Sequence, residues 1–401
     1  MIKDFSFSAL NMGVLATFVG YAASFAIVLA GLTAMGASET QAATGLFFAT
    51  IGMGICSIWL PIVTRTPAAV AWSTPGAAFL AATAMLAGGF GEAVGALIIC
   101  ALLIVLTGVI PGLGRAVAAI PKPIASALLA GVLLKLCLAP ALALGNLPLL
   151  VLPIVVAWVV GLAWNRLAAM PLAVAAFVLV LFLGVDPSAR TDASAINWGP
   201  VLDIVPPSFS PLSAISVALP LYLITMAGQN IPGFAVLELN GYGVNRPFLL
   251  RSTGIVSLLI APFGAIPVNM SAITASMMAG EDAGRDPSGR YWAAIISGVC
   301  YVALAFAATG VTAMASIAPT EVITAVAGLA LIPAFVAATT AAFSRADQLE
   351  APALTFLIAG SGMSMLGISG AFWGVLAGVA IWGLKAFFAA RAGRQAVTGK
   401  A

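Results

Sequence analysis

Thr66-Pro67-Ala68-Ala69-Val70-Ala71-Trp72-Ser73-Thr74-Pro75-Gly76 in the first half of the chain and Pro262-Phe263-Gly264-Ala265-Ile266-Pro267-Val268-Asn269-Met270-Ser271 in the second decide how this sequence is read. Each is a hydrophobic segment interrupted by proline, glycine and hydroxyl or amide residues. A bilayer-spanning chain tolerates such an interruption only where the freed backbone groups are buried in protein or line a cavity. Two of them in matching places point to a binding site near the membrane midplane.

The composition requires a membrane. Of 401 residues, 62% are hydrophobic and 7% charged, and apolar runs of about 20 residues recur along the chain. Punctuation by polar, Pro and Gly residues gives fourteen segments, roughly 10–35, 42–64, 67–84, 92–110, 118–139, 147–163, 171–185, 212–239, 248–266, 269–279, 291–314, 320–342, 352–367 and 369–390. The first run is too long for a signal-peptide core and is expected to stay as a spanning helix. Cys56, Cys100, Cys137 and Cys300 lie in apolar stretches without metal-ligand spacing, so they read as small buried hydrophobes.

With the N-terminus inside, Lys3, Arg65, Arg115, Lys122, Arg166, Arg246, Arg251, Arg285, Arg290, Arg345, Lys385, Arg391, Arg394 and Lys400 fall on the cytoplasmic side, with Arg190 outside and Lys135 within a helix. Short cytoplasmic loops carry the Lys/Arg excess, so both termini are expected in the cytoplasm. The net charge of +3 then reflects topology and carries no nucleic-acid signal.

Weak echoes divide the chain in two. Phe25-Ala26-Ile27-Val28-Leu29 matches Phe234-Ala235-Val236-Leu237 at an offset of 209, which also aligns Thr44-Gly45 with Thr253-Gly254; Pro121 before Ala130-Gly131-Val132 echoes Pro319 before Ala327-Gly328-Leu329. Seven segments per half is odd, so the halves are expected to be inverted relative to each other. The fold class is thus an all-α polytopic membrane protein of 7+7 inverted repeats, with segments 3 and 10 each a short strand plus a half-helix. Residues 186–211 form the external connector.

Ser73-Thr74-Pro75 predicts a helix start, with Thr74 as the cap and Pro75 in the first turn, running to about Thr83. Asn269 or Ser271 can cap a second half-helix running to about Ala279. Two facing helix N-termini would form an anion site without a buried Arg or Lys. Gln229 and Asn230, adjacent in an apolar helix, need hydrogen-bond partners and so contact a ligand, support the break or bind a neighbouring helix. Tyr21 stands at the related place in segment one, available for a planar ligand or for packing. Glu238, Lys135 and Glu321 are the candidates for proton coupling, each with a bland alternative as an interfacial, snorkelling or helix-dipole residue. The chain has no histidine to serve as a near-neutral relay, so proton coupling would use a shifted carboxylate, Lys135 or protonation of the substrate itself. Gly370, Gly374 and Gly378 make a close packing face, used within the chain or between two copies.

Trp72-Ser73-Thr74-Pro75-Gly76-Ala77-Ala78, Gln229-Asn230-Ile231-Pro232-Gly233, and Pro262-Phe263-Gly264 followed by Asn269-Met270-Ser271-Ala272-Ile273-Thr274-Ala275 resemble the benzoate:proton symporter (BenE-type) family of bacterial inner-membrane proteins. That family is similar in architecture to nucleobase and sulfate-type transporters. The resemblance implies a core domain of segments 1–4 and 8–11 (residues 1–116 and 212–318) and a gate domain of segments 5–7 and 12–14 (117–185 and 319–390), with 391–401 as a cytoplasmic tail. It also implies import of an aromatic carboxylate with protons. A carboxylate would meet Ser73, Thr74, Pro267, Asn269 and Ser271, while Trp72, Phe234, Ile266 and Met270 enclose its ring. Nucleobase relatives carry acidic residues where Gln229 and Val268 stand here, and their absence suits an anion.

The alternatives are a nucleobase or small inorganic anion transporter of the same fold, and an anion channel. No metal or cofactor is expected, and the partners are the substrate, protons and lipid, with a homodimer compatible. Without histidine the sequence has no HExxH or Ser–His pair, and it shows no GxSxG elbow or P-loop, so no enzyme is expected.

Overall fold

The computed structural model describes residues 4–184, 199–316, 318–345 and 348–398. Lys3, Arg190, Lys400 and the connector's residues 186–198 lie outside that set. The first half contains α1 (Phe7–Ala22), α2 (Phe25–Ala34), α3 (Glu39–Thr64), β1 (Val70–Trp72), α4 (Thr74–Ala82), α5 (Gly89–Val109), α6 (Pro111–Ala118), α7 (Lys122–Asn146), α8 (Pro148–Trp164) and α9 (Ala169–Gly184). The second opens with a rod, Pro211–Leu239, in which α10 (Pro211–Ser213), α11 (Leu219–Thr225) and α12 (Ile231–Leu239) alternate with π-helical turns Ala214–Ala218 and Met226–Asn230. Then follow α13 (Arg246–Ile260), β2 (Val268–Met270), α14 (Ile273–Ala279), α15 (Tyr291–Ala305), α16 (Ala308–Ser316), α17 (Thr320–Ala342), α18 (Glu350–Gly360), the hairpin β3 (Ser364–Met365) and β4 (Ile368–Ser369), and α19 (Gly370–Thr398).

Among the described residues seven helices are long and apolar enough to cross a membrane, eight if the pair bent by 60° at residues 306–307 counts as one span. Pro148–Trp164, Ala169–Leu183 and Glu350–Gly360 are shorter apolar helices. Local chemistry sets the ends. Ser38 and Gln41 close a reciprocal capping box at the start of α3, and Pro121 and Pro319 stand at the N-caps of α7 and α17.

Several boundaries differ from the sequence reading. The first span is broken at Ala23–Ser24, where the Ser24 hydroxyl returns to the Gly20 carbonyl at 2.7 Å. Segment thirteen stops as helix at Gly360, because Leu366 and Gly367, both at positive φ, turn the chain into the β3–β4 hairpin. The last helix continues past residue 390 to Thr398. The described part of the connector, 199–210, is fastened down: Thr44 Oγ1 donates to the Val201 carbonyl, Val205 N to Pro262 O and Ser208 N to Gly91 O.

Glycine lets the long helices touch backbone to backbone. A Cβ at Gly298 on α15 would lie 2.7 Å from the Gly54 carbonyl on α3, and one at Gly254 on α13 would lie 2.8 Å from the Val105 nitrogen on α5. Elsewhere α7 packs on α17 and α18, and α8 on α9. Gly370, Gly374 and Gly378 press against α18 and the turn after it, with Thr355 facing the last two, so this glycine face is used within the chain.

Candidate functional site

A broken helix leaves backbone N–H and C=O groups without intrahelical partners, and inside hydrocarbon each such group costs several kcal/mol unless matched. Here the two breaks match each other. β1 and β2 pair antiparallel with Val70 opposite Met270, Ala71 opposite Asn269 and Trp72 opposite Val268. Ser73 N to Pro267 O (2.9 Å) and Ser271 N to Ala69 O (3.0 Å) extend the ladder by one bond at each end. A buried serine from the helix before each strand serves the outer edge. Ser57 Oγ accepts from Val70 N at 3.1 Å and donates to Val70 O at 3.3 Å; Ser257 Oγ accepts from Val268 N at 2.9 Å, and its proton is shared between Thr253 O at 2.7 Å and Val268 O at 3.2 Å.

Around this crossing the expected residues separate into groups. Tyr21 packs on Trp72 (ring centroids 5.3 Å) and stacks on Phe25 (6.0 Å), while Trp72 Nε1 donates to Ser24 Oγ at 2.8 Å. The Tyr21 hydroxyl, buried beside Thr50, closes no well-aligned hydrogen bond. Ser73 is the cap of α4: its hydroxyl accepts from Gly76 N at 3.2 Å and shares a 2.7 Å bond with Thr225 Oγ1. Thr74, expected as the cap, is instead the first helical residue. The physical reason is that Ser73 already has non-helical dihedrals and its oxygen faces the free N–H two residues beyond Thr74.

On the second break, Asn230 supports the backbone, its Oδ1 accepting from Met270 N at 3.0 Å. Gln229 is buried beside it in the same π-helical turn, a departure from α-geometry often found where function needs a re-aimed side chain. The N-cap residue of α14 is Ala272, and Ser271 just before it accepts from Thr274 N at 3.3 Å; Asn269, the other cap expected, lies within β2. Ile266 is fully buried, and Pro267 contributes its carbonyl to the ladder.

Strand alternation directs Trp72 and Met270 to one face and Asn269, with Ala71, to the other. Phe234 departs further, since its ring lies 5.9 Å beneath the Arg246 guanidinium. The single enclosure expected from Trp72, Phe234, Ile266 and Met270 with Asn269 is therefore not what the strands build. On the Asn269 face, Ala71 is the only half-buried residue of the six in the two strands.

Asn269 is, with Tyr21 and Thr274, one of the buried side chains at the crossing left without a hydrogen-bond partner among the described residues, and its amide carries two such atoms. It is completely buried, and neither its Nδ2 nor its Oδ1 has a partner; the Thr274 hydroxyl is also buried and unpaired. Buried amides are nearly always hydrogen-bonded, and leaving one bare costs about 1–3 kcal/mol or more. By contrast the N–H groups expected to bind an anion at α4 are mostly committed: Ser73 N to Pro267, Gly76 N to Ser73, with none on Pro75.

The three coupling candidates lie away from this centre. Glu238 makes a two-pronged ion pair with Arg246 (2.7 and 2.9 Å) at the exposed end of α12. Glu321 is exposed in the first turn of α17, and Lys135 lines a separate cavity. Ser24, Ser57, Thr225 and Ser257 are site residues that the sequence reading did not single out. Their signal is slight: hydroxyls in apolar helices, with the two backbone-binding serines 13 and 11 residues before the strands they serve.

Comparison with known proteins agrees with this architecture. Residues 3–384 match the BenE family, described as benzoate membrane transport protein. The chain is 33% identical to inner membrane protein YdcO of Escherichia coli (strain K12), covering 91% of this chain and 93% of that one. It is 30% identical to the benzoate membrane transport protein of Acinetobacter baylyi, covering 94% and 95%. The transmembrane domain of the cyanobacterial bicarbonate transporter BicA superposes with a TM-score of 0.61 at 16% identity, covering 93% of this chain and 97% of that one. Murine Slc26a9 in its inward-facing state gives 0.63 at 12% identity, covering 97% and 69%. With its apolar helices and its crossed, interrupted segments, the chain is an integral membrane transporter and belongs to the benzoate membrane transport protein family.

Proposed function

We propose that the chain imports benzoate or a similar aromatic carboxylate together with protons across the bacterial inner membrane by alternating access, with both termini in the cytoplasm. The fourteen segments are read as 7+7 inverted repeats, in which residues 1–116 and 212–318 form a core moving against a gate of 117–185 and 319–390. Supporting this reading, Ser57 and Ser257 do the same work at positions 200 apart (257 minus 57), and the strand residues they hold, Val70 and Val268, are 198 apart (268 minus 70).

The observation that carries the substrate reading is the buried, unpartnered Asn269 amide. A primary amide offers one donor beside one acceptor, the complement of an un-ionised carboxylic acid: Nδ2–H donates to the acid carbonyl and the acid O–H donates to Oδ1. Protonating a carboxyl with an ordinary pKa near 4 at pH 7 costs about 4 kcal/mol. Desolvating it as an anion, with no cation at the crossing, costs several kcal/mol in practice and far more in the idealised limit. The neutral acid is therefore the favoured bound form, and the proton travels on the substrate. This accounts for coupling without Glu238, Lys135 or Glu321.

The test is uptake of radiolabelled benzoate into proteoliposomes with and without an inward proton gradient, with uracil, sulfate and benzenesulfonate as competitors. Gradient-stimulated accumulation blocked by aromatic carboxylic acids is expected. Benzenesulfonate, which stays ionised, is expected to be neither carried nor inhibitory at the central site. Accumulation of the sulfonate would overturn the neutral-acid mechanism, and competition by uracil or sulfate alone would replace the cargo.

A further inference from the structure

A cavity of about 270 Å³ lies beside the C-terminal end of α4, away from the crossing. Phe79, Val132, Leu212 and Met363 supply apolar wall, and Lys135 is the one charged residue on its lining. Lys135 is exposed and makes no ion pair or hydrogen bond with any described residue. Ser216, on the first π-helical turn of the rod, also lines the cavity. It is 3% exposed and its hydroxyl is unpartnered, although its carbonyl accepts from Ser369 Oγ at 2.7 Å.

Two elements lead from this cavity to the crossing. One is α4, which runs from Thr83 back to Ser73; the other is the rod, from Ser216 to Thr225. Their inner ends are joined by the Ser73–Thr225 bond. Nine or ten helical residues correspond to about 14 Å. A ligand in the cavity is thus one short step from the break, between α4 and the helices α7, α18 and α19 that wall the other side.

Resting on the transport reading above, we propose that this cavity is an outer waiting site, where an ionised small aromatic carboxylate is held by the Lys135 ammonium and the Ser216 hydroxyl before it takes up its proton and moves inward. One cation, the free hydroxyls of Ser216 and Ser364, and mainly apolar walls match a monocarboxylate with a hydrophobic body. A multiply charged inorganic anion would meet only one cation there. Lys135 thereby acts on capture, not on coupling.

The experiment is benzoate uptake by Lys135→Met and Lys135→Arg in proteoliposomes. Lys135→Met is expected to raise KM about five- to tenfold with the maximal rate kept, and to lose the wild-type decline of uptake with ionic strength; Lys135→Arg keeps both. An unchanged KM and salt profile overturns the site, and so does a lost maximal rate at unchanged KM. A second measurement does not require transport. In a variant with the four native cysteines replaced by alanine, benzoate is expected to slow modification of Ser364→Cys by an uncharged maleimide, and Lys135→Met to abolish that protection. Protection that depends on Lys135 in a protein that carries no benzoate would leave the waiting site standing while the transport reading fell. Transport with no protection would overturn the site alone.

Discussion

The two interrupted segments use the same backbone device and differ in how fully their polar groups are satisfied. In the first, Trp72 donates to Ser24, the Ser73 hydroxyl serves both Gly76 and Thr225, and Ser57 holds Val70. In the second, Ser257 holds Val268 and Asn230 holds Met270, yet the Asn269 amide and the Thr274 hydroxyl are bare. The first side leaves one hydroxyl bare, that of Tyr21, against an amide and a hydroxyl on the second, so the greater unspent polar capacity lies on the second. The receptor role proposed for Asn269 rests on that difference.

The largest expected effect comes from charging the receptor. Asn269→Asp should weaken benzoate binding about a hundredfold at 1.4 kcal/mol per tenfold, because a buried carboxylate has lost the Nδ2 donor and sets its charge against the neutral acid's carbonyl oxygen. Asn269→Ala should lose about tenfold or more, read by radioligand binding at constant protein insertion. Retained affinity in both variants would erase the distinction between the halves.

Next come the paired serines. Ser57→Ala and Ser257→Ala each strip a buried N–H and C=O of their side-chain partner, so each should destabilise by about 1–3 kcal/mol in detergent unfolding. Only Ser257→Ala, beside Asn269, should also weaken benzoate binding. Equal losses of affinity in the two variants would show that the crossing binds as one unit.

A smaller contrast lies at the start of α4. Ser73→Ala should cost about 1 kcal/mol as a lost cap, while Thr74→Ala should fall within about 0.5 kcal/mol of wild type by the same unfolding measurement. The smallest effect is expected at Glu238. Glu238→Gln breaks an exposed ion pair with Arg246, worth about 1 kcal/mol at most, and should leave gradient-stimulated uptake unchanged. Loss of proton stimulation in that variant would return coupling to a side chain.

Much of the architecture was legible before any coordinates. Proline beside hydroxyl or amide in two apolar segments announces broken helices because caps accompany the prolines in matching places; Pro61, Pro140, Pro153 and Pro333, without that company, stay inside helices. The echoes between the two halves were harder to read. The offset of 209 aligns Gly45, which faces the Gly264 carbonyl, with Gly254, which faces α5, so these glycines have different tasks. Gly54 and Gly254 each meet a neighbouring helix backbone and are 200 apart (254 minus 54), close to the 198 that separates Pro121 from Pro319. Small residues are so frequent in such a chain that chance echoes rival real ones.

Composition and punctuation alone determined that this chain is a polytopic membrane protein with two interrupted segments and no histidine relay, because hydrocarbon imposes its rules residue by residue. Only the tertiary structure decided that Ser73 caps α4, that Phe234 turns toward Arg246, that Lys135 faces a cavity and that Asn269 stands unpaired. Those outcomes depend on which groups from segments 200 residues apart reach the same oxygen or nitrogen first. Sequence spacing within one segment does not contain that competition.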